Sequence, residues 1–61
     1  MPIVHIDILE RPVEVKRKLV SSVTDAIVES LGVKPESVTI VINDMSAQHY
    51  AVAGKLHADK D

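Results

Sequence analysis

The chain has no cysteine, tryptophan or phenylalanine, a single tyrosine and two glycines. Without cysteine there is no disulfide framework, no thiolate zinc site and no cysteine nucleophile. Gly32 and Gly54 are too few and too far apart for a phosphate-cradling glycine loop. Tyr50 alone offers no platform on which bases could stack. Nine Asp and Glu outnumber seven Lys and Arg, for a net charge of -2, so the chain lacks the basic excess that nucleic-acid binding rests on. No apolar stretch approaches the ~18 residues of a membrane span. The opening residues also lack the basic-then-apolar pattern of a signal peptide. The expectation is a cytoplasmic protein with neither a nucleic acid nor a membrane as partner.

What the chain does have is aliphatic: 46% of its 61 residues are hydrophobic, nearly all Val, Ile, Leu and Ala. That length suits one small domain, residues 1–61. A chain this short buries a small share of its surface, and it has no disulfide and no evident metal site to help. Burial between identical subunits is the remedy left, which predicts an obligate homo-oligomer.

Residues 3–9 are rich in β-branched side chains, with Val4, Ile6 and Ile8 on one face and His5 and Asp7 on the other. That alternation predicts a strand. Pro12 follows and suits the first turn of a helix, where its missing N–H costs little. Leu19, Val20, Val23, Ala26, Ile27 and Leu31 then recur at spacings of three and four, one stripe of an amphipathic helix. Lys16, Arg17, Lys18, Asp25 and Glu29 fall mostly off that stripe. Gly32 sits where left-handed helix caps favour glycine, and Lys34-Pro35-Glu36 predicts a turn. Residues 38–42 form the second strand, with Val38, Ile40 and Ile42 on one face, Thr39 and Val41 on the other, and Asn43-Asp44 as its end.

Strand, long helix and strand make a βαβ unit with two parallel strands. Tyr50-Ala51-Val52-Ala53 predicts a short strand or ribbon and Gly54 a bend, which completes an α+β protomer. Residues 55–61 read as a polar tail that orders against a neighbour. One helix covers one face of a two-stranded sheet, so Ile3, Leu9 and Val41 on the other face need cover from another subunit.

Four features bear on chemistry. Pro2 lies directly behind Met1, and removal of Met1 leaves a secondary amine at the chain's first residue. A proline within a chain has no basic nitrogen, whereas a terminal amine titrates near ~7.7–8.0 and can act as a base around neutral pH. The other reading of Pro2 is a proline that merely opens a strand. Arg11 stands where the first strand hands over to the helix; helix starts attract anions, and arginine grips carboxylates in two-pronged fashion. Its alternative is an ordinary surface pairing with Glu10 or Glu14. His5 and Asp7 share a strand face, but two ligands make no metal site, and His49 and His57 are distant in sequence. Ser21 and Ser22 form no triad pattern with the His and Asp residues.

The opening Pro2-Ile3-Val4 and the strand end Ile8-Leu9-Glu10-Arg11, with Glu14 and Lys16 behind it, resemble the 4-oxalocrotonate tautomerase family. So do Val23-Thr24-Asp25-Ala26-Ile27 and His49-Tyr50-Ala51-Val52-Ala53-Gly54-Lys55. The similarity spans essentially the whole chain, at a length typical of that family. It implies a protomer of the tautomerase superfamily assembled as a homohexamer, a trimer of dimers, acting without a cofactor. The implied activity is enol–keto isomerisation of a 2-hydroxy-dienoate such as 2-hydroxymuconate, a step of aromatic-compound degradation. On this resemblance Pro2 is the general base and acid, Arg11 binds and polarises the dicarboxylate, Tyr50 walls the site, and the Leu9 backbone adds a polar contact.

An apolar pocket and a nearby Arg11 would both disfavour the charged prolinium and lower its pKa. Two departures from the family pattern stand out. The loop before the helix is one residue shorter, with Arg11-Pro12 in place of a glycine-arginine arrangement. Thr39 stands where many members carry a second arginine, which leaves one fewer cationic hold on a dicarboxylate and favours a smaller or aromatic enol. Two other functions fit the same residues: a non-enzymatic oligomeric module, and hydration or dehalogenation of an unsaturated acid.

Overall fold

The computed structural model describes residues 1–59. Strand β1 runs Ile3–Leu9, helix α1 Val13–Leu31 and strand β2 Thr39–Met45, followed by a hairpin of β3, Ala51–Val52, and β4, Lys55–Leu56. β1 and β2 pair in parallel, from Ile3 opposite Thr39 to Leu9 opposite Met45. The predicted βαβ unit is therefore present, and the C-terminal ribbon is an antiparallel pair, Ala51 with Leu56 and Val52 with Lys55.

Pro12 is the N-cap of α1, and its carbonyl accepts the N–H of Val15 at 3.1 Å and of Lys16 at 3.3 Å. Glu14 lies in the first turn, at the positive end of the helix dipole. Gly32 closes the helix in the left-handed conformation, φ 67°, and its N–H reaches the Val28 carbonyl at 2.9 Å. A side chain at that φ would be strained, which is why glycine stands there. Pro35–Ser37 form a single 3-10 turn, tied by the Ser37 hydroxyl donating to the Lys34 carbonyl at 2.8 Å.

Three expectations need correction. β2 does not end at Asn43-Asp44 but runs on to Met45. Its partner β1 stays extended to Leu9, so the ladder continues, and pairing overrides the turn preference of Asn and Asp. Within the helix stripe Ala26 and Leu31 are exposed, while Lys16, Thr24 and Val28 are half-buried. Nineteen helical residues span about 28 Å, whereas seven-residue strands span about 23 Å. Leu31, at the helix's end, overshoots the sheet and is 59% exposed. Lys16 is drawn inward because its ammonium pairs with the Asp44 carboxylate, which is on the helix side of β2. The third correction concerns the tail: residues 55–59 are structured, as β4 and a 3-10 turn, and residues 60 and 61 lie outside the described residues. The hairpin orders this segment. It turns through Ala53 at φ 54° and Gly54 at φ 78°, the two positive φ angles of a type I′ turn.

Val4, Ile6 and Ile8 of β1 and Ile40 and Ile42 of β2 face the helix and are half-buried. On the opposite face Ile3 and Val41 remain 56% and 45% exposed. No side chain among the described residues is fully buried. The radius of gyration is 14.7 Å, against about 10.5 Å for a compact chain of this length. The protomer is an open layer with half a core.

Candidate active site

Both ends of the open sheet face carry residues singled out from the sequence. Pro2 precedes β1, and its carbonyl accepts the Thr39 N–H at 3.0 Å, which extends the ladder by one rung. A proline in that place misses no ladder donor. The ring is half-buried, and Met1 projects beyond it, 89% exposed. While Met1 is attached the Pro2 nitrogen is an amide without a basic lone pair. Thr39, the residue opposite Ile3, is exposed at this same end.

At the other end lies a surface cleft of about 240 Å³ lined by Leu9, Glu10, Arg11, Met45, Ala47 and His57. Leu9 and Met45 are opposite each other as the last pair of the ladder. The Glu10 N–H donates to the Met45 carbonyl at 3.3 Å, after which the chain turns through Arg11 into α1. The Lys16–Asp44 ion pair fastens the first turn of the helix to the end of β2. Arg11 is thereby held at the helix start with its side chain exposed. Among the described residues it makes no ion pair with Glu10 or Glu14, the alternative that the sequence left open. Ala47 belongs to a 3-10 turn, Ala47–His49, whose Ser46 cap accepts the Gln48 N–H at 3.0 Å.

Leu9 and Arg11 therefore meet in one cleft. Tyr50 stands just behind it: it does not line the cleft, but its ring lies 5.8 Å from that of His57, tilted by 55°. The Tyr50 carbonyl accepts the His57 N–H at 2.7 Å. Glu10, Met45, Ala47 and His57 are lining residues that sequence reasoning does not place in the site, and His57 is set aside there as a distant histidine. The hairpin register would have found it, because pairing Ala51 with Leu56 places Tyr50 across from His57. Among the described residues, the His57 Nδ1 is the buried side-chain atom without a hydrogen-bond partner. Such an atom costs about 1–3 kcal/mol.

Pro2 is not brought to Arg11. The seven residues of β1 hold them apart by more than ~20 Å, and proton transfer needs about 3 Å. A six-carbon acid is no longer than two extended residues, ~7 Å, and cannot bridge that gap. Any site that unites Pro2 with Arg11 takes them from two copies of the chain. Chemically, the cleft sets the Arg11 guanidinium, the Glu10 carboxylate and the His57 ring beside the apolar Leu9, Met45 and Ala47, and of these the guanidinium suits the carboxylate end of a short unsaturated acid. No group of three or more His, Asp or Glu that could hold a metal occurs among the described residues. No helix there is long and apolar enough to cross a membrane.

Comparison with known proteins places these features in a family. The model of the tautomerase enzyme family matches residues 2–60. A probable tautomerase of Halalkalibacterium halodurans is 44% identical over 61 residues, covering 98% of this chain and 100% of the relative. The 2-hydroxymuconate tautomerase of Bacillus subtilis is 44% identical over 62 residues, with 100% of both chains covered. Among solved structures, a 4-oxalocrotonate tautomerase homologue superposes with a TM-score of 0.92 at 32% identity, covering 100% of this chain and 98% of its own. A heterohexamer 4-oxalocrotonate tautomerase from Chloroflexus aurantiacus superposes at 0.90, with 27% identity and 97% of each chain covered.

Proposed function

The chain belongs to the tautomerase family of enzymes, and from that premise we propose that it interconverts the enol and keto forms of a 2-hydroxy-dienoate or related enol acid, 2-hydroxymuconate among them. The observation that carries this reading is the Arg11 cleft at one end of an open sheet face whose other end is Pro2. In the proposed reaction Met1 has been removed and the Pro2 amine takes the proton of the enol O–H. The O–H bond breaks, the electron pair shifts through the diene, and the prolinium returns the proton to the diene carbon farthest from the enol oxygen, where a C–H bond forms. An α,β-unsaturated ketone leaves, and Pro2 is a free amine again. Nothing is oxidised or reduced.

Arg11, from a second copy of the chain, holds the carboxylate and stabilises the negative charge that develops on the dienolate. Its cation and the apolar surroundings both disfavour the charged prolinium, which moves the amine pKa down toward the working pH of a general base. Leu9 supplies the wall beside Arg11, and Tyr50 stands behind that wall against His57. Thr39, exposed beside Pro2, adds no charge there. The site therefore favours an acid with one strong carboxylate anchor.

The assembly that unites the two ends is a homohexamer, a trimer of dimers, in a soluble cytoplasmic setting. Its support is the exposed Ile3 and Val41, the lack of any fully buried side chain among the described residues, and the separation of Pro2 from Arg11. Intact-mass measurement paired with turnover of 2-hydroxymuconate tests the reading. Protein that begins at Pro2 should be active, and protein that keeps Met1 should be at background. Equal activity of the two forms rules out the Pro2 amine as base.

A further inference from the structure

We propose that His57 is a substrate-binding residue of the Arg11 cleft, giving a carboxylate seated on Arg11 its second hydrogen bond. The inference rests on the proposed tautomerase reading of that cleft and adds to it a residue that neither the sequence motifs nor the similarity to relatives singled out. Six residues line the cleft and three of them are polar: Glu10, Arg11 and His57. A Glu10 carboxylate repels an anion. His57 is thus the one lining side chain besides Arg11 that can donate to it, and an imidazole N–H to a carboxylate is a charge-assisted bond.

The ring is also mounted for the purpose. Its backbone N–H is fixed by the Tyr50 carbonyl at 2.7 Å, and the Tyr50 ring packs beside it at 5.8 Å, tilted by 55°. A braced ring loses little freedom when it takes a ligand. Most telling is the Nδ1, buried without a partner in a half-buried residue at the mouth of a polar cleft. An orphan of this kind calls for a partner, and a ligand in the cleft is one that can supply it. A half-turn of the ring about Cβ–Cγ exchanges Nδ1 with Cδ2 and takes the nitrogen off its covered side. A carboxylate in the cleft favours that rotamer by the bond it gains there. The contribution ascribed to Tyr50 then becomes indirect: it positions His57.

The test uses the full chain with Met1 removed. KM and kcat are measured for 2-hydroxymuconate and for a carboxyl-free enol, such as the enol of an aryl acetaldehyde, in wild type, His57→Ala and His57→Asn. His57→Ala should raise KM for 2-hydroxymuconate about tenfold, with kcat moved much less and a smaller effect on the neutral enol. His57→Asn, which keeps a donor, should recover part of that loss. Equal losses on both enols, or none on either, overturn the proposal. A second measurement does not depend on turnover. In 15N-labelled protein, muconate, which has the carboxylates but no enol, should move the His57 ring nitrogen resonances more than those of His5 and His49. Resonances of His57 that stay still while calorimetry shows muconate bound overturn the proposal, as does failure of muconate to bind a protein that turns over 2-hydroxymuconate. If His57 responds but protein that keeps Met1 turns over as fast as protein that begins at Pro2, the proline mechanism falls and His57 stands as an anion ligand.

Discussion

Two inactive variants should make an active enzyme when mixed. Pro2 and Arg11 lie at opposite ends of β1, a strand of seven residues, so each proposed site draws them from different chains. Pro2→Ala exchanges the ring-held secondary amine for a mobile primary one, a loss of up to about 10²–10⁴-fold. Arg11→Ala removes the cation facing the developing negative charge, a loss on the order of 10²–10³-fold. When the two proteins are unfolded together in equal amounts and refolded, chains associate at random. A site is intact only when its Pro2 comes from an Arg11→Ala chain and its Arg11 from a Pro2→Ala chain. Each condition holds for half of the sites, so about a quarter of wild-type activity should return in a symmetric assembly. The assay is initial-rate ketonisation of 2-hydroxymuconate, followed by ultraviolet absorbance, against each variant refolded alone. If each site were built within one chain, no mixture would contain an intact site, and activity would stay at the mean of the two variants. That result would refute the split site and with it the proposed mechanism.

Two further expectations concern the scaffold. Val41 lies on the open sheet face, 45% exposed in the protomer, and Val41→Asp places a charge where the proposed assembly buries it. An unpaired buried charge costs several kcal/mol, so sedimentation should show the wild-type oligomer replaced by smaller species at micromolar concentration, with loss of helical circular dichroism. An unchanged oligomer would place the interface elsewhere. Gly32→Ala meets open space, with nothing within 4 Å of an added Cβ, so its cost is that of the backbone at φ 67° alone. That cost is about 1–2 kcal/mol, which corresponds to a fall in Tm of roughly 4–8 °C per kcal/mol for a domain of this size, read at a fixed protein concentration; an unshifted Tm would show that the cap carries no strain.

The sequence was most legible where local and tertiary preferences agree. The alternation of Val4, Ile6 and Ile8 and the glycine at position 32 mark β1 and the helix end as they stand. It misled where a partner overrides local preference. Asn43 and Asp44 look like a turn, yet Leu9 is still extended and needs Met45 opposite it. Residues 55–59 look like a polar tail because no periodicity marks a two-residue strand; the hairpin is visible only through Ala53 and Gly54 at its turn. The place of His57 in the cleft was hidden for the same reason, since it depends on that register and on no local motif. Pro2 and Arg11 stand out singly in the sequence, but their distribution does not. Nine positions separate Pro2 from Arg11, and an extended strand between them already forbids their meeting in one chain.

That separation and the half-built core have one cause. A two-stranded sheet with a single helix can cover one face, so the other must be left for a partner, and here it is left with Ile3 and Val41 exposed. The strand that forms this open face delivers Pro2 to one end and Arg11 to the other. A partner that covers the face in register can therefore bring its own Arg11 cleft to the first chain's Pro2 in the same act. In this reading stability and catalysis are not separable demands on the chain: the contacts that supply the missing core are the contacts that assemble the site. The Lys16–Asp44 pair then matters beyond its small energy as a surface ion pair. It fixes the helix start, and hence Arg11, to the end of β2, so that the half-site is shaped before the partner arrives.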